Sequence, residues 1–526
     1  MKNNISTTYL IPDNFQIFKF KKDNLYNDLY HFFNYNNIIT LIDKDIISSY
    51  TKDWSNLRGW ADLVVIPKNK IECAIILQTC FNNNINITIS AGKTNLTGSA
   101  TPNGGIVLSI NKLIDCDLKL DIDALEVTSP VGITLENLRM EVLRLSNKKL
   151  YYPVNPTSRH DAYVGGTLSC NASGFIPGER GATRFWVNEI ELLLPNGYLV
   201  KAKRGEYISN KGIFIININN KKLSLPIPKY KRPNIKNASG PYSSKKGEID
   251  FVDLIIGSEG IYGLITSCKL RLEERPREYL ELFLCLNSEE KAIDFHDFLY
   301  KYFNGNMSKI SALEYFGYNS QKYMKNRDFL FKNDNDIGIY IQIPIYNSTL
   351  DEKSAEWIEL INQFDHSIVV DNVIVLNDPL SWKKFFEARH SIPDNALTKT
   401  RQLGGISIIT DTIVPPKNYR KYLRLIHEKL QQADIEYLLF GHLGDCHLHF
   451  HLIPTDKQDT KCFKIYDYMI DLSTKLGGVY SAEHGTGKRK RNDFKKCYGE
   501  IAVEMVRESK LAIDPNLILN RGNIFN

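Results

Sequence analysis

The sequence predicts a mixed α+β protein built from more than one packed unit, and three observations carry that expectation. At 526 residues the chain is several times longer than the roughly 100 to 200 residues of a single domain. In its first half, short apolar strand patterns alternate with helical spacings. From about Arg277 the texture changes to longer alternating runs such as REYLELFLCL and IGIYIQIPIY, with amphipathic helices between them. No solenoid-like repeat interrupts either half.

Residues 62–67, DLVVIP, read as an apolar strand ended by a proline, and KIECAIILQTCFNNN after it has helical spacing with an Asn-rich stop. INITIS is a further strand, followed by the loop AGKTNLTGSATPNGG and the strand IVLSI. ALEVTSPVGITLENLRMEVLRL is a strand running into a helix, whereas YYPVNPTSRHDAYVGGTLSCNASG reads as loop. Around 203–248 the composition shifts to Lys, Asn, Ser and Pro, which suggests an insertion: a hairpin in IFIININNKKLSLPI and a long exposed connection in KYKRPNIKNASGPYSSKKGE. DLIIGSEGIYGLITSCKLRL then reads as strand-like. The expected division is a first domain over 1–275, a second α+β domain over 276–480 and a C-terminal segment over 481–526.

With 43% hydrophobic and 24% charged residues the chain has the balance of a soluble globular protein. No apolar run approaches the roughly 20 residues that span a bilayer. The start, MKNNISTTYLIPDNF, lacks a signal-peptide pattern, so cytoplasmic residence is the expectation, with peripheral membrane attachment left open. Nine scattered cysteines without a C-x-x-C pair suit reduced thiols, not disulfides or an iron–sulfur cluster. The net charge of +6 is modest and no basic stripe is interleaved with aromatics, so nucleic acid is not an expected partner. The basic run KRKR at 488–491 reads as a solvated loop.

Three glycine-bearing segments carry the first functional signal. AGKTNLTGSA holds Gly92, Thr94, Asn95 and Gly98 between two strands, where small residues let backbone N–H groups converge on an anion. It is neither a Walker loop, since Ile87 stands where the upstream glycine is required, nor a G-x-G-x-x-G fingerprint. VGGTLSCNASG repeats the theme with Ser169, Asn171 and Gly174, and IGSEGIYGLIT adds Gly257, Gly260 and Gly263 around Glu259. Together they favour a phosphate-rich cofactor over incidental turns.

The second signal is GHLGDCHLHFHL, which gathers four of the chain's 11 histidines. His447, His449 and His451 alternate with Leu448, Phe450 and Leu452, the period of a strand buried on one side, so the three imidazoles share a face. A solvated histidine face and a metal site both fit this pattern. YSAEHGTGKRKR adds adjacent Glu483 and His484, which on an extended segment point opposite ways, one able to ligate metal and the other to face substrate.

These segments resemble the FAD-binding domain of the vanillyl-alcohol oxidase superfamily. GSEGIYGLIT is similar to that group's G-S-E-G-x-x-G-x-I-T motif, and the terminal LAIDPNLILNRGNIF is similar to the closing motif of the FAD-linked 2-hydroxyacid dehydrogenases, which include D-lactate, D-2-hydroxyglutarate and glycolate enzymes. The resemblance implies a two-subdomain FAD-binding domain plus an α+β cap. It places the pyrophosphate on the first loop, with Gly92, Lys93, Thr94, Asn95, Leu96, Gly98 and Ser99 as cofactor contacts. Thr157, Gly165, Gly166, Ser169 and Gly174 would back the ring system, with Glu259, Gly260 and Ile265 from the third segment and Asn520 returning to the flavin. No histidine sits in the first loop, so non-covalent FAD is expected.

The family's G-H-x-G-D-x-x-L-H and E-H-G-x-G motifs imply His442, His449 and Glu483 as ligands of a divalent metal, with zinc the expected ion, and His484 as base. Arg389, in FFEARHSIPDN, matches the carboxylate-binding arginine. His447 replaces the Asn of many relatives and is expected to face substrate, while Cys446 stands in place of Gly. Because Pro393 and Ile409 replace polar contacts of the hydroxyglutarate enzyme, a D-lactate-like (R)-2-hydroxy acid is the expected substrate, with hydroxyglutarate and glycolate as alternatives. Electrons would pass to an external acceptor: a quinone, a cytochrome, an electron-transfer flavoprotein or an iron–sulfur subunit. A homodimer is left open. A zinc hydrolase using the same side chains would leave the glycine segments unexplained, and a non-catalytic flavin subunit would not need an open metal site.

Overall fold

In the computed structural model, which describes residues 2, 4–368 and 373–526, strands Leu63–Ile66 and Ile87–Ser90 both pair parallel with Ile106–Ser109, and Ile39–Leu41 adds antiparallel at the edge. Parallel pairing requires a crossover, which helix Lys70–Asn83 supplies. The Asn69 side chain accepts from the Glu72 amide to start that helix, and Asn84 ends it in the left-handed conformation. The Asn-rich stop is therefore a cap. Every residue of Leu63–Ile66 and Ile106–Ser109 is buried, as strands covered on both faces demand.

An eight-stranded sheet follows, in the order Lys221–Pro226, Ile213–Ile218, Asn4–Tyr9, Tyr198–Lys203, Val187–Leu193, Leu264–Arg271, Glu126–Pro130, Lys119–Asp121. The expected hairpin at 213–226 forms and extends this sheet at its edge. Three local readings change. Val164–Cys170 is a short helix and not loop, closed by Asn171 at φ 51°. Phe251–Ile255 is a helical turn capped by Asp250, because a short apolar run has no period that separates strand from helix. The connection after the hairpin is not exposed: Tyr230, Ala238, Ser239, Ser243 and Ile249 are buried, and the Lys236–Gly240 stretch packs on the 481–486 loop.

A seven-stranded sheet organises the second half, in the order Val373–Val375, Glu278–Leu286, Ile337–Ile345, Ala312–Gly317, Glu436–His442, His447–Ile453, Ile408–Ile409. Leu448, Phe450 and Leu452 enter its apolar core beneath helices such as Pro416–Gln432 and Asp459–Lys475, as the alternation of strand side chains requires. Among the described residues no helix is long and apolar enough to cross a membrane.

The chain's end closes onto its beginning. Leu519 bridges to Ile87, and the Asn520 side chain accepts from the Ile89 amide at 2.8 Å while donating to the Glu259 carbonyl at 2.9 Å. The Glu259 carboxylate points away from solvent and accepts from Ser99 Oγ (2.6 Å) and from the amides of Thr486 (2.6 Å) and Gly487 (2.7 Å). Gly487 has φ +51°, and a Cβ there would lie 2.2 Å from the Thr97 carbonyl oxygen, so only glycine lets the two loops meet. Glu259→Ala leaves two buried amides and a hydroxyl without an acceptor, at about 1–3 kcal/mol each. Thermal unfolding of this variant is expected to start several degrees lower; an unchanged midpoint would show that the latch contributes nothing.

Candidate active site

The hairpin Glu436–His442/His447–Ile453 sets the core of the site. Its register pairs His442 with His447 and Phe440 with His449, while the next strand pairs Glu314 with His442. Directly opposed residues share a sheet face, so Glu314, His442, His447 and His449 stand together on the face opposite the apolar core. The turn between the strands, Leu443–Asp445, ends at Cys446 in the left-handed conformation.

Each candidate ligand is oriented by a second partner. His442 Nδ1 lies 2.6 Å from Glu314 Oε1, and His449 Nδ1 lies 2.8 Å from the Thr410 carbonyl oxygen. Both rings thereby turn Nε2 toward Glu483, at 3.6 Å and 3.4 Å respectively. Nδ1 pinned by an oxygen and Nε2 left free is the arrangement of metal-binding histidines. One ligand atom from each of His442, His447, His449 and Glu483 falls within a mutual span of 4.8 Å. A divalent ion fits this donor set: nitrogens and a carboxylate with room for further oxygen ligands.

Burial opposes ionisation of Glu314, yet His442 and then Arg389 outweigh it and hold the carboxyl at about 2. For His442, burial works against the charged form, but Glu314, with Glu483, raises it to about 9. Arg389 lies 2.9 Å from Glu314 and stacks over Phe175 at 4.5 Å, so one carboxylate holds both the proposed substrate arginine and a proposed metal ligand. Pro393 sits inside helix Pro379–Gln402 and removes the N–H that would bond the Arg389 carbonyl four residues back.

His484 is held by Asp411. Asp411 is fully buried and accepts from the amides of Glu483 (3.2 Å) and His484 (3.0 Å), from Ser481 Oγ and from Lys490 Nζ (2.8 Å). His484 Nδ1 lies 3.5 Å from this carboxylate and its Nε2 3.5 Å from Glu483. Burial would raise Asp411, but His484 and Lys490 drive it well below the ordinary carboxylate range.

A single cavity of about 610 Å³ joins this cluster to the glycine segments: Gly92 to Leu96, Gly165, Gly166 and Glu259 line it together with Arg389, His442, His449, Glu483 and His484. Thr157, Ser169, Gly174, Gly260, Ile265, Ser99 and Asn520 also face it. Among the described residues, the amides of Gly92 to Leu96 donate to no protein acceptor, which leaves a run of N–H groups for an anion such as a pyrophosphate. Ser173 Oγ, buried and also without a protein partner, lines the same space. The donors fit a dinucleotide.

Some expected residues stand elsewhere. Gly98 turns at φ +81° against Leu57, outside the cavity lining. Lys93 sends its ammonium to the Ser49 carbonyl at 2.7 Å, so only its backbone serves the loop. His447 does not look out toward substrate: it is fully buried, absent from the cavity wall, and lies 3.2 Å from Asp411 Oδ1 without the alignment of a hydrogen bond. Burial lowers it to about 3, so its ring is neutral. His451 is not solvated either; it is buried, lowered to about 4 by burial, and 2.7 Å from Ser407 Oγ. The strand is buried on both faces because Asp411, Ser407 and helix Pro379–Gln402 stand against its histidine side. The KRKR run is no solvated loop, since Lys490 binds Asp411 and Lys488 binds Asn523 at 2.8 Å. Sequence reasoning passed over Glu314, Asp411 and Lys236. For Glu314 and Asp411 the available signal is a charged residue in an apolar or β-branched run, as in SALEYFG and ISIITDTIV, and Lys236 in KRPNIKNASG carries none.

Known proteins share this architecture. Residues 61–203 match the FAD binding domain family and residues 317–524 the FAD linked oxidases, C-terminal domain. The D-lactate dehydrogenase of Anaerostipes hadrus is 26% identical over 502 residues, covering 92% of this chain and 94% of that protein. The D-2-hydroxyglutarate dehydrogenase of Stutzerimonas stutzeri strain A1501 is 25% identical over 501 residues, with 92% and 96% covered. The 4-ethylphenol oxidase from Gulosibacter chungangensis has the same fold, with a TM-score of 0.67 at 14% identity over 98% of each chain. The loops that line the cavity and the histidine-bearing sheet beside them are thus the two halves of one flavoprotein: the chain belongs to the FAD-linked oxidases and is an FAD-dependent oxidoreductase.

Proposed function

We propose that the chain oxidises a small (R)-2-hydroxy acid, of which D-lactate is the type, to the 2-oxo acid. The observation that carries this reading is the convergence of His442 Nε2, His449 Nε2 and Glu483 in the same cavity as the unpaired loop amides, with His484 beside them. Bound FAD supplies a two-electron acceptor for the hydride leaving Cα, and a divalent metal, zinc in this reading, held by His442, His449 and Glu483 supplies a Lewis acid for the hydroxyl. His484 accepts the hydroxyl proton at Nε2, while Asp411 behind Nδ1 orients the ring and stabilises the imidazolium that forms. Arg389 offers its guanidinium to the substrate carboxylate, kept in place by Glu314 and the Phe175 ring.

The wall near Arg389 favours a monocarboxylic acid. Phe175, Pro393, Ile409 and Phe440 are apolar, and the ionisable groups that join them there are His390 and Asp394. A second carboxylate would meet Asp394, and among the described lining residues the one lysine, Lys93, turns its ammonium to the Ser49 carbonyl while no arginine joins Arg389, which disfavours hydroxyglutarate. Electrons then leave to an external acceptor: a quinone, a cytochrome, an electron-transfer flavoprotein or an iron–sulfur subunit.

Turnover with an artificial electron acceptor tests the reading. D-lactate and other short apolar D-2-hydroxy acids are expected to outperform D-2-hydroxyglutarate and all L-isomers; a preference for hydroxyglutarate would overturn the apolar-wall argument. His484→Ala is expected to retain FAD and metal yet lose about a hundred- to ten-thousandfold in kcat. Wild-type kcat in that variant would remove His484 as the base.

A further inference from the structure

Lys236 reaches the site from the connection between the eight-stranded sheet's edge hairpin and helix Phe251–Ile255. Its side chain is 2% exposed, and its ammonium lies 3.0 Å from Glu483 Oε2 and 3.5 Å from Asp445 Oδ2. Asp445 is fixed in turn, since its other oxygen accepts from the Gly178 amide at 2.7 Å. The backbone around the lysine is tied to the loop that carries Glu483: the Ala238 amide donates to the Ser481 carbonyl (3.1 Å), Ser239 Oγ to the same carbonyl (2.9 Å), and the Gly240 amide to Thr486 Oγ1 (3.0 Å). Arg232 clamps the turn from inside by donating to the carbonyls of Asn237 (2.8 Å) and Ser239 (2.7 Å).

We propose that Lys236 is a positioning residue of the metal site, holding one oxygen of Glu483 so that the other faces the ion. The two oxygens have different partners. Oε2 carries the lysine and lies 3.6 Å from His442 Nε2, while Oε1 lies 3.4 Å from His449 Nε2 and 3.5 Å from His484 Nε2. A buried carboxylate free to rotate could chelate with both oxygens and crowd out substrate; one held by an ammonium gives a single ligand and leaves coordination positions open. The lysine also offsets part of the negative charge that Glu483 and Asp445 gather in a buried place. This inference rests on the metal reading of the site given above. The rival reading of the same contact is an ammonium that stands in for the metal and competes with it, which predicts the opposite sign.

The test is calorimetric titration of Zn²⁺ into full-length, FAD-loaded protein stripped of metal, for the wild type, Lys236→Met and Lys236→Arg, with flavin content read by absorbance. The wild type is expected to bind Zn²⁺, Lys236→Met to bind it about 10- to 100-fold more weakly at unchanged FAD content, and Lys236→Arg to recover part of the loss. Equal affinity in the Met variant would overturn the positioning role, and tighter binding would establish competition in its place. If the wild type takes up no Zn²⁺, the metal reading itself fails and the proposal with it. Should Lys236→Met fail to hold FAD, Asp445→Asn, which removes the lysine's second anchor, is expected to weaken Zn²⁺ in the same direction, and unchanged affinity there would again overturn the proposal.

Discussion

Asp411 lies fully buried where the edge of the seven-stranded sheet meets the 481–490 loop, and donors from both sides converge on it. Removing a carboxylate from water costs several kcal/mol unless hydrogen bonds and opposite charge replace the solvent. Here the replacement comes from the loop itself, through the amides of Glu483 and His484, the Ser481 hydroxyl and the Lys490 ammonium. The loop therefore has one conformation that satisfies the buried charge, and that conformation sends Glu483 and His484 into the cavity. Glu483 and His484 are thus placed by backbone bonds to a buried neighbour that does not itself line the cavity.

The rest of the site is a consequence of strand register. Because Glu314, His442 and His447 are directly opposed across three strands, a one-residue slip would turn all of them into the apolar core. Leu448, Phe450 and Leu452 oppose the slip, since it would move them from the apolar core onto the buried polar histidine face. Charge closes the arrangement: Arg389 answers Glu314, Lys490 answers Asp411, and Lys236 answers Glu483 and Asp445. On the other side of the cavity, Glu259 ties Ser99 of the first glycine loop to Thr486 and Gly487, so one buried carboxylate joins the cofactor cradle to the 481–490 loop.

Much of this arrangement is encoded in local sequence patterns. Period-two alternation gave the histidine strand, helical spacing and an Asn stop gave helix Lys70–Asn83, and three glycine segments pointed to one cofactor. Other parts were hidden for identifiable reasons. Alternation shows which residues share a face but not what covers that face, so His447 and His451 read as outward-looking when Asp411 and Ser407 stand against them in the interior. Polar composition suggested exposure for the segment around Lys236 and for the KRKR run, yet both lysines concerned are buried against carboxylates that come from distant parts of the chain. Glu314 and Asp411 act through partners more than 70 residues away in sequence, a pairing that no local pattern encodes.

In the proposed function one cavity couples a metal-assisted hydroxyl site to a flavin. Anaerobic mixing of the FAD-loaded protein with D-lactate, followed by flavin absorbance in metal-replete and metal-stripped samples, addresses it most directly. D-lactate is expected to bleach the flavin in the replete protein, L-lactate is not, and stripping is expected to abolish bleaching until Zn²⁺ is returned. Bleaching at the same rate in the stripped protein, or by L-lactate in place of D-lactate, would contradict it.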